Sequence, residues 1–97
     1  MILRLGPEAR DDLHSAMAWY EEREAGLREA FLTEAGAAFE QIAMRPDSYA
    51  RVHGDICRAL MRRFPYAIYF LVEEGHVLIL AVLHQRQDRG VILRRDV

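Results

Sequence analysis

The chain is short of most features that would assign it a chemistry. It has one cysteine, Cys57, so no internal disulfide can form, and the usage suits a reducing cytoplasm. No apolar run approaches the ~18 residues that a bilayer span needs. The opening "MILRLGPEAR" has no long apolar core, so no signal peptide is expected. There is no glycine-rich phosphate loop, and Ser15 and Ser48 have no G-x-S-x-G context, which argues against a nucleotide site and a hydrolase triad. "HGD" at His53–Asp55 and "HQRQD" at His84–Asp88 each offer two metal-ligand types, but neither has a second pair at a known spacing. No metal and no cofactor are expected. Repeats, low-complexity segments and linkers are absent, and 97 residues make one domain, 1–97.

Lysine is missing altogether, so all 13 basic residues are arginines. They are unevenly spread. Residues 1–50 hold 5 Arg against 10 Asp and Glu, a balance of −5, and residues 51–97 hold 8 against 5, a balance of +3. The two sum to the net charge of −2. Such asymmetry suits either a basic face for an acidic partner or an acidic layer that solvates one side.

The apolar pattern divides the chain at Pro46. "MILRL" reads as a short strand, closed by Gly6, with Pro7 suited to the first turn of a helix. Ala9, Leu13, Ala16, Met17 and Tyr20 recur at helical spacing, and Leu27, Phe31, Ala35, Ala38, Phe39 and Ile42 form a second stripe. Gly26 joins the two helices into a hairpin. Beyond Pro46 the period moves towards two. "ICRALMRR", "YAIYFLVE" and "HVLILAVLH" read as a three-stranded meander, with turns at Phe64-Pro65 and at Glu74-Gly75. The order predicts a two-layer α+β fold, β-α-α-β-β-β, with a helical hairpin on one face of an antiparallel sheet.

Tight turns fix an expected register. Glu73 pairs with His76, Leu71 with Leu78, Tyr69 with Leu80 and Ala67 with Val82; Arg62 pairs with Ala67, Leu60 with Tyr69 and Arg58 with Leu71. One face then carries Cys57, Ala59, Met61, Ile68, Phe70, Val72, Val77, Ile79, Ala81 and Leu83, all suited to lie under the helices. The other carries Arg58, Leu60, Arg62, Ala67, Tyr69, Leu71, Leu78, Leu80, Val82 and His84. That second face is too apolar for an open sheet face, which points to a partner. The C-terminal segment or Trp19 could instead fold over it. As a partner anchor, Leu80 should tolerate replacement by Asp with a loss of binding rather than of stability.

Cys57 falls on the helix side and reads as a buried, inert thiol. The remaining constellation is Arg58, Arg62, Arg86, His84 and Tyr69. Arginines around an imidazole could hold a phosphate and pass a proton, as metal-free RNA cleavage requires. Alternatively they are rim charges around an apolar binding face, a reading that the negative net charge favours.

"LHSAMAWYEEREAGLREAFL", "RPDSYARV" and "ICRALMRRFPYAIYFLVEEGHVLILAVLHQRQD", in this order, resemble the RelE/ParE toxin superfamily and, more narrowly, ParE-type toxins of type II toxin–antitoxin operons. The resemblance runs from about Pro7 to Asp88. It implies a first strand beside the last and a cognate antitoxin, ParD-like or similar, that forms a hetero-oligomer over the apolar surface. Arg58, Leu60, Arg62, Tyr69, Leu71, Leu78, Leu80 and Val82 would contact it. It also implies a cytoplasmic protein that inhibits DNA gyrase by binding, with no catalytic residue, no membrane association and no sequence-specific nucleic-acid binding of its own. The alternatives are a RelE-like ribosome-dependent mRNA endonuclease using Arg58, Arg62, His84 and Arg86, and a toxin-derived module that only binds its antitoxin. The chain departs from both patterns after His84: "GVILRRDV" has no Tyr or His, and "RQDRGVIL" stands where an "RDP..W" ending is common.

Overall fold

A computed structural model describes residues 1–87, Gly90 and Ile92. The elements are β1 (Ile2–Leu5), α1 (Pro7–Arg23), α2 (Leu27–Met44), a 3-10 turn at Pro46–Ser48, β2 (Arg51–His53), β3 (Ile56–Leu60), β4 (Tyr66–Glu73) and β5 (His76–His84). The sheet order is β1-β5-β4-β3-β2. The two helices pack on one face of it, an α+β arrangement. β1 lies beside the last strand, but it runs parallel to β5, from Ile2 opposite His76 to Leu5 opposite Ile79, so the sheet is mixed. β2 is an additional short edge strand.

Both helices form where the apolar stripes predict them. Ala9, Leu13, Ala16, Met17 and Tyr20 are the buried residues of α1, and Phe31, Ala35 and Ile42 those of α2. Pro7 occupies the first turn of α1, where no intrahelical N–H bond is lost. Gly26 takes φ 89°, a left-handed conformation that a Cβ would strain, and so turns the chain straight into α2. The helices bury an aromatic cluster: Tyr20 stacks on Phe31 at 5.4 Å, and both meet Phe64 and Tyr66.

The register departs from expectation in two places, each with a physical cause. The β4–β5 hairpin keeps Glu73 opposite His76 and Leu71 opposite Leu78, but a bulge at Leu80 follows. Tyr69 then faces Ala81, Ala67 faces Leu83 and Tyr66 faces His84. An extra residue in one strand exchanges the faces beyond it. Val82, expected on the partner face, is buried under the helices, and His84 follows it there against Tyr66. Ala81 and Leu83, expected under the helices, lie on the opposite face. The bulge sits where β1 has ended and α1 begins. There the Asp12 carboxylate of α1 accepts the Val82 N–H at 3.0 Å.

The β3–β4 connection is longer than a tight turn. Leu60 faces Ala67 and Arg58 faces Tyr69, two residues away from the expected pairing. A shift of two preserves the faces. The cause is Glu34 on α2, whose carboxylate accepts the backbone N–H groups of Arg62 at 2.5 Å and Arg63 at 3.1 Å. These donors are thereby taken from the hairpin ladder, which opens into a loop. Val72, also expected under the helices, extends beyond them and is 42% exposed.

Candidate functional site

The sheet face turned away from the helices has its own core. Ile56, Ala67, Tyr69, Leu80, Ala81 and Leu83 form a buried cluster with Ile92, and Leu71 and Leu78 pack partly buried against it. Ile92 thus packs over the centre of this face; Trp19 sits on α1 and takes no part. Leu80, expected as an exposed anchor, is 8% exposed. It is a residue of the lone chain's interior, and Tyr69 is equally closed in. Leu60 is the contrast. It is 56% exposed at the end of β3, on the same face as half-buried Arg58.

The predicted site residues therefore divide. Arg58, Leu60, Leu71 and Leu78 remain on the face and reachable, and Arg62 is exposed in the loop just past Leu60. Tyr69 and Leu80 support that surface from beneath, and Val82 belongs to the other core. Arg89 and Asp88 lie outside the described residues.

The four residues suggested for RNA cleavage do not converge. Arg58 stands opposite Tyr69 on the face away from the helices, whereas the ring of His84 packs edge-on against Tyr66 on the helix side, 5.3 Å between centroids. The His84 Nδ1 accepts the Arg86 N–H at 3.1 Å, which places the ring proton of the neutral imidazole on Nε2. The Gln87 side-chain oxygen accepts the His84 N–H at 2.7 Å. These bonds build a closed turn at the end of β5, with Arg86 exposed on it. An imidazole whose lone pair is engaged locally is poorly placed to take a proton from a substrate.

Cys57 is 6% exposed, and burial pushes its thiol above the ordinary value, with Asp55 adding to this and Arg51 opposing it. A raised thiol is a weak nucleophile. Among the described residues no group of three His, Cys, Asp or Glu side chains could hold a metal ion. No described helix is long and apolar enough to cross a membrane.

Sequence reasoning missed a groove of about 510 Å³ between α2 and β3, lined by Ala37, Ala38, Gln41, Tyr49 and Leu60 and closed at one end by Glu34 and Arg62. The signal in the sequence is slight: the small residues of "AGAAF" allow close approach to α2, but nothing local says which strand they meet. A larger cleft of about 730 Å³ at the far end of the sheet is lined by Met1, Met44, Asp55, Cys57 and Val72 among others, and none of the predicted site residues borders it.

Comparison with known proteins agrees with this architecture. A solved structure of the chromosomal ParDE toxin–antitoxin system from P. aeruginosa superposes with a TM-score of 0.64 at 18% identity, covering 87% of this chain and 95% of that one. At that identity the likeness speaks for the fold. A search of curated proteins finds no match. Residues 3–89 match the family model described as the ParE toxin of the type II toxin–antitoxin system parDE, and the chain belongs to that family.

Proposed function

We propose that this toxin acts by binding, that DNA gyrase is its target, and that a cognate ParD-like antitoxin neutralises it in a cytoplasmic hetero-oligomer. The observation that supports a binding mode is the separation of Arg58 from His84 by the thickness of the sheet, together with the local engagement of His84 Nδ1. A metal-free nuclease needs its cations and its proton carrier around one phosphate. A binder needs only an accessible surface of mixed character, and Arg58, Leu60, Arg62, Leu71 and Leu78 supply one.

In this reading the antitoxin is acidic where it meets Arg58 and Arg62 and apolar where it meets Leu60. Covering an exposed leucine contributes about 1.5–3 kcal/mol, enough for one anchor among several. The deciding experiment is a supercoiling assay with purified gyrase. Inhibition at micromolar toxin, reversed by the antitoxin, is the expected result; full supercoiling activity at that concentration sinks the reading. Toeprinting on translating ribosomes is the companion measurement, and cleavage in the A site would replace this reading with the endonuclease. Expression without growth arrest, alongside tight antitoxin binding, would leave only an antitoxin-binding module.

A further inference from the structure

We propose that two copies of this chain pair through the outer edge of β1, strand against strand, so that one sheet runs through both. β1 lies at the end of the sheet order, beyond β5. Its parallel register and the bond from the Gly6 N–H to the Ile79 carbonyl at 2.9 Å decide which of its backbone groups face β5. These groups alternate along a strand, so Ile2, Arg4 and Gly6 turn theirs inward, and Leu3 and Leu5 turn theirs outward. Among the described residues, nothing hydrogen-bonds to the outward groups of Leu3 and Leu5.

The two edges of the sheet differ in how they are guarded. β2, at the other end, spans only Arg51–His53, with a charge in it and a break of register between Arg51 and His53. Short length, charge and irregularity keep an edge from pairing. β1 is also short, but its register is unbroken from Ile2 to Leu5, and Arg4 is its one charge. Its surroundings are apolar and uncovered. Ile2 is 70% exposed, and Met1 and Met44 are both more than half exposed. The Met1 nitrogen donates to the Ala43 carbonyl at 3.0 Å, which sets Met44 at the end of α2 beside the strand. Open backbone groups next to exposed apolar side chains make a template for a further strand.

The sequence of β1 fits its own copy. In an antiparallel pair with the two-fold axis at Leu3, the two Leu3 residues exchange a pair of bonds, and each Leu5 N–H meets the Met1 carbonyl of the other copy. Ile2 then stands opposite the other copy's Arg4 on the face away from the helices, where the arginine stem can cover it. An axis at Arg4 would set two arginines directly opposite each other. An axis at Leu5 would bring Leu3 against Pro7, which has no N–H to give. The register about Leu3 avoids both faults. A contact of so few residues is small, so the pair is weak and depends on concentration.

Sedimentation equilibrium of the purified full chain should show the mass rising from one chain towards two between about 5 and 500 µM. Amide exchange at Leu3 and Leu5 should slow over the same range, since a ladder bond must open before exchange. Ile2→Arg, at an exposed site, should weaken pairing by about 5-fold or more by setting like charges opposite each other, with the melting temperature held within a few degrees. Ile2→Glu, which meets Arg4 with the opposite charge, should pair at least as well as the wild type. A chain that stays single at the highest concentration overturns the proposal. A pair that leaves Leu3 exchange unchanged, or that Ile2→Arg and Ile2→Glu weaken alike, overturns it too.

Discussion

Leu80 and Leu60 are both leucines on the sheet, and the sequence offers nothing to rank them. The structure makes them opposites. Leu80→Asp would bury a carboxylate in the Ile92 cluster, a cost of several kcal/mol unless the group stays protonated, so unfolding rather than selective loss of binding is the expected outcome. Leu60→Asp, on an exposed site, should leave thermal stability within about 0.5 kcal/mol and weaken antitoxin affinity; calorimetry and titration on the same samples separate the two effects. His84 is likewise redefined. His84→Ala should reduce stability modestly through the loss of the Tyr66 contact and the Arg86 bond, and should leave growth arrest in place if the toxin works by binding. Abolished toxicity in a folded variant would point back to chemistry. Cys57 should resist alkylation at neutral pH until the chain unfolds, because its thiol is both covered and held protonated.

Two carboxylates join the helix layer to the sheet, and each accounts for a departure from the expected register. Asp12 takes the Val82 N–H beside the bulge, and Glu34 takes two donors of the β3–β4 loop. Removing either leaves backbone donors without that partner, at a cost of about 1–3 kcal/mol where water cannot replace it. Glu34→Ala is the more informative change, since it frees the loop and the end of the β3 edge together. Denaturant midpoints should fall, and exchange at Arg62 and Arg63 should rise. Local pattern was sufficient for both helices, because apolar spacing and Pro7, Gly26 and Pro46 act over one or two turns. It also placed the Glu74-Gly75 hairpin. The bulge and the loop were not legible, because Asp12 acts on Val82 and Glu34 on Arg62 across long stretches of chain. The run "VLILAVLH" is apolar on both faces, so its pattern carries no mark of register, and only tertiary structure reveals the bulge at Leu80. The sheet faces of Leu60 and Arg58 were accordingly legible in the sequence, whereas Val82 and His84 were expected on the face opposite to the one they occupy.

Across the molecule, the buried proton-bearing groups set the response to alkali. Burial raises Cys57, Tyr20 and Tyr66 above their ordinary values of 9.0, 10.0 and 10.0, and Tyr20 raises Tyr66 further. The folded chain holds these protons more tightly than the unfolded one. Stability is therefore complete below the unfolded values and is lost as pH climbs through them. A chemical-denaturation series should be flat with respect to these groups at neutral pH and fall above about pH 9, and Cys57→Ala should remove the earliest part of that fall. Charge is separated on the same scale: α1 and α2 each carry more acidic than basic residues, whereas Arg58, Arg62 and Arg63 lie on β3 and in the loop that follows it. Antitoxin affinity should accordingly weaken with salt, and Arg58→Ala should flatten that dependence. The parallel pairing of β1 with β5 has a temporal consequence. Residues 2–5 wait for residues 76–79 before their strand has a neighbour, so the N-terminal strand is made first and placed last. A nascent chain halted before β5 cannot complete the sheet. Until β5 has been made, such a polypeptide carries its first strand without the neighbour that the native sheet supplies.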